Sequence, residues 1–194
     1  MNSTIEITVP RRRGFIATGA VGLSAGAIAL LGGVPSLARA ASMDPAKDSG
    51  ILNVALGLEH EAINAYQLGA QSGLLSKGAL DVAVLFQSHH KAHRDALMAA
   101  IKSLGGTPVQ EKAIGDYAMA LKADTLKSQA DVLTLAARLE LGAVNAYLGV
   151  IPAFTDSALS KVAGRLAADE TMHWTALTGV LGQSLPGKAL SLGA

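Results

Sequence analysis

An internal repeat constrains this chain more than any other feature, because it places ionisable residues in the middle of apolar helix faces. The segment 59–66, EHEAINAY, aligns without gaps with 140–147, ELGAVNAY. The segment 90–97, HKAHRDAL, aligns in the same way with 170–177, ETMHWTAL. The number of residues between the two segments is nearly the same in the first half of the repeat as in the second half. The repeat therefore indicates two matching helix hairpins with polar residues at the same depth.

Apolar periodicity predicts four long helices, in a chain whose many Ala and Leu residues favour helix. Asp48 or Ser49 is available to cap the first helix, and Asp156 or Ser157 the fourth. The helices are expected at about 51–75, 79–104, 130–151 and 157–181.

The segment 105–128 has a weaker pattern, with a short helix expected at about 116–121. At roughly 3.3 Å per extended residue, this segment can travel the length of a bundle. The expected fold is therefore an all-α four-helix bundle in which a long crossover joins two helix hairpins.

The first 40 residues are interpreted as an export signal. Arg12-Arg13 is followed by Phe15-Ile16 and then by a moderately apolar, Gly/Ala-rich run that ends near Leu31. Ala38-Arg39-Ala40 is a small-residue cleavage site. The segment resembles a twin-arginine signal. An uncleaved anchor helix is the alternative, which the short, glycine-interrupted run disfavours.

The expected organisation is a signal at 1–40, a linker at 41–50, a helical domain at 51–182 and an irregular tail at 183–194. The resemblance of the signal implies the twin-arginine export machinery as a partner and a periplasmic or otherwise exported location. It implies no stable membrane insertion after cleavage. A homodimer is a further expectation.

Charge and composition exclude two classes of function. Cleavage after Ala40 would leave 12 basic and 14 acidic residues, so the excess positive charge belongs to the signal. Without a basic patch, nucleic-acid binding is not expected. The chain has no Cys, which excludes a thiolate metal site and a cysteine nucleophile.

Buried ionisable residues in these helices are the candidate functional site. Glu170 and His173 are three residues apart, so on a helix they share one face. A buried ionised carboxylate needs hydrogen bonds, a counter-charge or a metal ion. If the two halves pack about a pseudo-twofold axis, six such residues converge, as in dimetal carboxylate bundles. The six candidate metal ligands are Glu59, His90, His93, Glu140, Glu170 and His173.

With these residues the chain resembles the ferritin-like superfamily over about 51–181, in particular the exported, rubrerythrin-related ferritin-like domain proteins. The resemblance implies iron, as one or two ions, and matches five of the six ligand positions. His90 stands where the family has a bridging glutamate. The nitrogen-rich set that results also suits zinc, copper or nickel, and manganese is a further alternative.

Several alternatives stay open at this point. The same residues could form a polar core held by Glu–His or Glu–Tyr hydrogen bonds. His89 competes with His90, since it lies four residues before His93. Tyr66 and Tyr147 are expected beside the ligands or in the core packing, whereas His60 and Glu61 are expected at a helix edge or in solvent.

The resemblance implies an exported metal-binding protein with dimetal oxidoreductase chemistry on oxygen or peroxide, without indicating a catalytic residue. Two alternatives belong to other classes of function. One is a structural or stress-related bundle with a degenerate site. The other is a zinc- or copper-binding carrier without turnover.

Overall fold

A computed structural model describes residues 43–184 and 186–187 of the chain. The expected signal at 1–40 and most of the expected tail lie outside these residues. In the described part, the chain forms five α-helices and no strand, which confirms the predicted all-α class. The helices are α1 (Pro45–Gln71), α2 (Lys77–Ser103), α3 (Ile114–Ala120), α4 (Gln129–Val150) and α5 (Ser157–Val180).

The long helices form two hairpins, α1 with α2 and α4 with α5. Side-chain caps start the later helices, and Asp156 caps α5 as the sequence indicates. Ser76 accepts a hydrogen bond from the backbone N–H of Ala79, and Asp156 accepts one from that of Ala158. Three-residue 3₁₀ turns at 123–125 and 151–153 lie in the connections.

Helix α1 begins earlier than predicted, so that residues 45–50 of the expected linker are helical. Asp44 is the N-cap, since its carboxylate accepts from the N–H of Lys47, and Pro45 suits the first helical position. Asp48 is fully buried instead of capping the helix. Its carboxylate accepts from the backbone N–H and the hydroxyl of Thr155, each at 2.8 Å, and from the N–H of Asp156 at 3.0 Å. Asp48 thus ties the start of α1 to the α4–α5 connection.

The segment between α2 and α4 lies against α1. Asn53 donates to Thr107 O at 3.0 Å and accepts from the N–H of Val109 at 2.7 Å. The expectation that His60 faces a helix edge or solvent is wrong, because the crossover covers it. His60 is buried, with Nε2 3.3 Å from Val109 O.

Two hydrophobic clusters fill the bundle, one on each side of a polar layer. The first includes Leu56, Leu97 and Ala163, and the second includes Phe86 and Leu177. Along each long helix, the candidate ligands lie between residues of the two clusters. Within the described residues, the helices are all too short or too polar to cross a membrane.

We expect Asp48→Ala to lower the free energy of unfolding by about 3 kcal/mol, because the donors at Thr155 and Asp156 lose a charged, buried acceptor. Asp81→Ala is the matched control. Asp81 pairs with Lys77 on the exposed face of α2, so its loss should change stability by no more than about 0.5 kcal/mol. Denaturant unfolding measures both variants. Equal effects would contradict the assigned role of Asp48.

Candidate metal centre

The side chains of all six candidate ligands meet in the polar layer. Each of the six residues is at most 9% exposed. Their nitrogen and oxygen atoms form two overlapping groups, and within each group the ligand atoms lie within 4.8 Å of one another. Group one contains Glu59, His90, His93 and Glu170, whereas group two contains His90, Glu140, Glu170 and His173. His90 and Glu170 belong to both groups and therefore occupy the centre of the layer.

His90 bridges two glutamates of opposite hairpins. Its Nδ1 lies 2.8 Å from Glu59 Oε2, and its Nε2 lies 3.2 Å from Glu140 Oε1. Burial lowers the pKa of His90, but the hydrogen bonds to Glu140 and Glu59 outweigh burial and raise that pKa to about 10. Without metal, His90 is therefore an imidazolium at neutral pH and donates to both carboxylates.

His93 and His173 turn Nδ1 towards the centre of the layer and Nε2 away from it. Nδ1 of His93 lies 3.1 Å from Glu170 Oε1. The outer nitrogens have partners, since His93 Nε2 lies 3.2 Å from Asp169 Oδ2 and His173 Nε2 lies 2.9 Å from His89 Nδ1. A partner on the second ring nitrogen fixes the orientation of a metal-binding histidine. His89 itself lies in neither ligand group.

Two buried tyrosines connect the hairpins across this layer. The hydroxyl of Tyr66 on α1 donates to Glu140 on α4, and that of Tyr147 on α4 donates to Glu59 on α1. Burial and the adjacent carboxylates raise the pKa of both phenols above its usual range, so both remain donors. The tyrosines hence act both as hydrogen-bond partners of the ligands and as packing, as the sequence indicates.

The contacts repeat about a pseudo-twofold axis. Each tyrosine hydrogen-bonds to the glutamate of the other hairpin, Tyr66 to Glu140 and Tyr147 to Glu59. The outer partners of the histidines also come from the other hairpin, since Asp169 contacts His93 and His89 contacts His173. Sequence reasoning missed the roles of Asp169 and His89. The repeat did indicate these roles, because His89 comes directly before His90 and Asp169 directly before Glu170, so the two residues align with each other.

The residues of group two fit a metal ion. In the described part of the chain, its buried atoms Glu140 Oε2, Glu170 Oε2 and His173 Nδ1 have no hydrogen-bond partner. His173 Nδ1 lies 2.9 Å from Glu170 Oε2 but without hydrogen-bond geometry. Buried polar atoms in native proteins are nearly always paired. A cation among these atoms would satisfy all three of them, and imidazole and carboxylate ligands suit iron, zinc or copper.

The charges within the layer are strongly coupled. Burial lowers the pKa of His173, but the carboxylates of Glu140 and Glu170 raise it more, to about 9. Burial raises the pKa of Glu170, whereas His173 and His93 together hold it well below its usual range. Protonated imidazoles thus supply, without metal, positive charge that a bound cation would otherwise provide.

Comparisons with known proteins identify the family and the fold of this chain. The family model described as the ferritin-like domain matches residues 47–183. The chain belongs to the ferritin-like domain family. Its fold is similar to the crystal structure of a conserved hypothetical protein, rv2844, from Mycobacterium tuberculosis, with a TM-score of 0.62 and 22% sequence identity. The similarity covers 71% of this chain and 98% of that chain. None of the curated proteins matches this ferritin-like chain in sequence.

We expect the metal-free protein to lose stability as the pH rises from about 6.5 towards 10. The pKa of His90 rises on folding from 6.5 to about 10, so its contribution is complete below 6.5 and disappears as the pH passes through about 10. Release of one proton gives a slope of up to about 1.4 kcal/mol per pH unit. Denaturant unfolding in the presence of a chelator measures this slope.

His90→Gln should reduce this pH dependence without abolishing it, because the pKa of His173 is also raised, to about 9. Ser88→Gln is the control, because Ser88 is exposed on the same helix and carries no titratable group. It should leave the slope in place. A wild-type protein whose stability is constant from pH 6.5 to 10 would contradict the assignment of His90 as a bridging imidazolium.

Proposed function

We propose that this ferritin-like protein is an exported metal-binding protein with a dimetal centre, iron being the first candidate, that acts as an oxidoreductase on oxygen or peroxide. The observation that carries the proposal is the pair of overlapping ligand groups that share His90 and Glu170. Two ligand groups with two common residues provide for two neighbouring cations. The ferritin-like domain supports the same interpretation.

The protein's own residues would hold such a centre in place. Glu59, Glu140 and Glu170 would supply negative charge, and the three histidines would supply nitrogen ligands. Tyr66 and Tyr147 orient two of the glutamates, and the hydrophobic clusters pack on both sides of the layer. A redox-active metal bound there would supply electron transfer to oxygen or peroxide.

The two ligand groups are not equivalent. In the described part of the chain, the three unpaired buried atoms of the layer belong to Glu140, Glu170 and His173, which are all in group two, whereas Glu170 alone of these is also in group one. The first cation is therefore assigned to group two. A cation in either group requires the ring nitrogen of His90 on that side to release its proton, because a protonated nitrogen cannot bind a metal. Filling both groups therefore requires His90 to release both of its ring protons.

Export by the twin-arginine route is part of the proposal and is supported by the Arg12-Arg13-x-Phe15-Ile16 pattern. The export machinery is then a partner of the precursor, and the location is periplasmic or otherwise outside the cytoplasm. A homodimer is proposed with it. These elements of the proposal concern export and assembly and are independent of the metal chemistry.

Metal content in two symmetry-related variants tests the proposed centre. We expect Glu140→Ala to lose metal, because Glu140 belongs to group two alone. Glu59→Ala removes the equivalent residue of group one and should retain one ion per chain. Plasma mass spectrometry would be applied to untagged protein exported by its native host. Oxygen or peroxide would then be added while optical and magnetic spectra are recorded.

A metal content below one ion per chain would contradict the proposed centre if it were the same in the wild type and in both variants. One ion that shows no change with oxygen or peroxide would leave the zinc- or copper-binding carrier as the function. Retention of metal by Glu140→Ala with loss in Glu59→Ala would contradict the assignment of the first ion to group two.

A structural bundle with a degenerate site is the second candidate function, and the contacts of His90 favour it. As an imidazolium between Glu59 and Glu140, His90 can stabilise the layer without any metal. The two tyrosine–glutamate hydrogen bonds add to this metal-free network. Under this alternative, full stability would be reached in the presence of a chelator.

The variant His90→Glu separates the two candidates. It places a carboxylate where the repeat has Glu170, so we expect the second ion to bind more tightly at neutral pH, because no imidazole proton has to leave this position. The metal-free variant should be destabilised by about 3 kcal/mol or more, because it buries an unpaired charge. Metal titration and denaturant unfolding measure the two effects. Ser88→Glu on the exposed face of α2 is the control, and destabilisation of His90→Glu without tighter metal binding would support the structural candidate.

A further inference from the structure

A cavity of about 250 Å³ lies between α1 and α4 and reaches the polar layer. Its inner end is formed by His90 and Glu140. Leu58, Leu139 and small residues form its walls. The cavity thus connects group two to one outer face of the bundle.

The walls of the cavity follow the internal repeat. Leu58 of α1 aligns with Leu139 of α4, and Ala62 aligns with Ala143, and all four line the cavity. Both alanines are only half-buried, although they belong to the apolar stripes of their helices. The cavity therefore lies where the two hairpins face each other across the pseudo-twofold axis.

Gly142 lines this space without a side chain. It lies inside α4, where glycine is less favourable than alanine by about 1 kcal/mol. A Cβ atom at Gly142 would meet nothing within 4 Å, so no packing contact requires a glycine there. Its counterpart in the repeat is Glu61, which also lines the cavity. A side chain larger than glycine at this position would fill the space beside the walls.

The size and chemistry of the cavity indicate which ligand it would hold. A water molecule takes roughly 30 Å³ of liquid volume, so the cavity exceeds the needs of oxygen or hydrogen peroxide. Its walls are mainly apolar and its inner end is polar, and the charges of Glu61 and Arg138 offset each other. These features suit an uncharged molecule with an apolar body and a polar head.

We propose that the cavity between α1 and α4 binds a small uncharged organic molecule, whose apolar body packs between Leu58 and Leu139 and whose hydroxyl or hydroperoxyl head reaches Glu140. This inference deepens the proposed function, on which the chemistry of the head group rests. The binding itself depends only on the cavity and does not require a metal.

Titration with tert-butanol, a redox-inert alcohol of this class, tests the proposal on the full chain. We expect methyl resonances of Leu58, Leu139, Ala62 and Ala143 to shift in metal-free and zinc-treated protein alike. Gly142→Leu should raise the apparent Kd at least tenfold. Gly149→Leu is the matched control, because Gly149 lies two turns further along the same face of α4, does not line the cavity, and also has open space at its Cβ position. It should leave the Kd unchanged.

Ala62→Leu obstructs the cavity from α1 and gives a second test if Gly142→Leu does not fold. Shifts at other methyl groups, no shifts, or equal affinity in obstructed and control variants would overturn the inference. If the protein cannot bind a metal but still binds the alcohol in the cavity, the inference is supported and the proposed function is contradicted. If the metal-loaded protein reacts with peroxide but no variant or wild type binds the alcohol, the proposed function is supported and the inference is overturned.

Discussion

Three carboxyl groups and three imidazoles share one buried layer, and the rest of the structure depends on how their charges are compensated. An isolated buried ion costs several kcal/mol, so each group needs a partner. The structure provides these partners across the hairpin interface, from Tyr66 to Glu140 and from Tyr147 to Glu59. Both contacts form only when the hairpins pack in one register. We infer that the polar layer specifies the register of the bundle as well as forming the candidate site.

His90 decides how this layer behaves. At the equivalent position of the second half stands Glu170, which faces His93 and His173 and carries a lowered pKa. His90 instead faces Glu59 and Glu140 and takes up a proton. This difference between the two halves therefore gives the protein a metal-free state with internal charge compensation. Metal binding must displace that proton, which couples metal affinity to pH.

Much of the fold and the membership of the site could be predicted because both depend on local periodicity. Helical spacing places Glu170 and His173 on one face, and the repeat then relates that face to His90 and His93. The start of α1 was missed because Asp48, a good capping residue, instead binds Thr155 far along the chain. The burial of His60 and the pairing of His89 with His173 also depend on contacts between distant segments, which no local pattern shows.

Anomalous X-ray diffraction from crystals of the exported protein, with data collected across the absorption edges of iron, zinc and copper, tests the central claim most directly. The account predicts a peak bound by His90, Glu140, Glu170 and His173, with a neighbouring second peak when group one is also filled. A layer without any anomalous peak, in which the His90 ring lies hydrogen-bonded between Glu59 and Glu140, would contradict it.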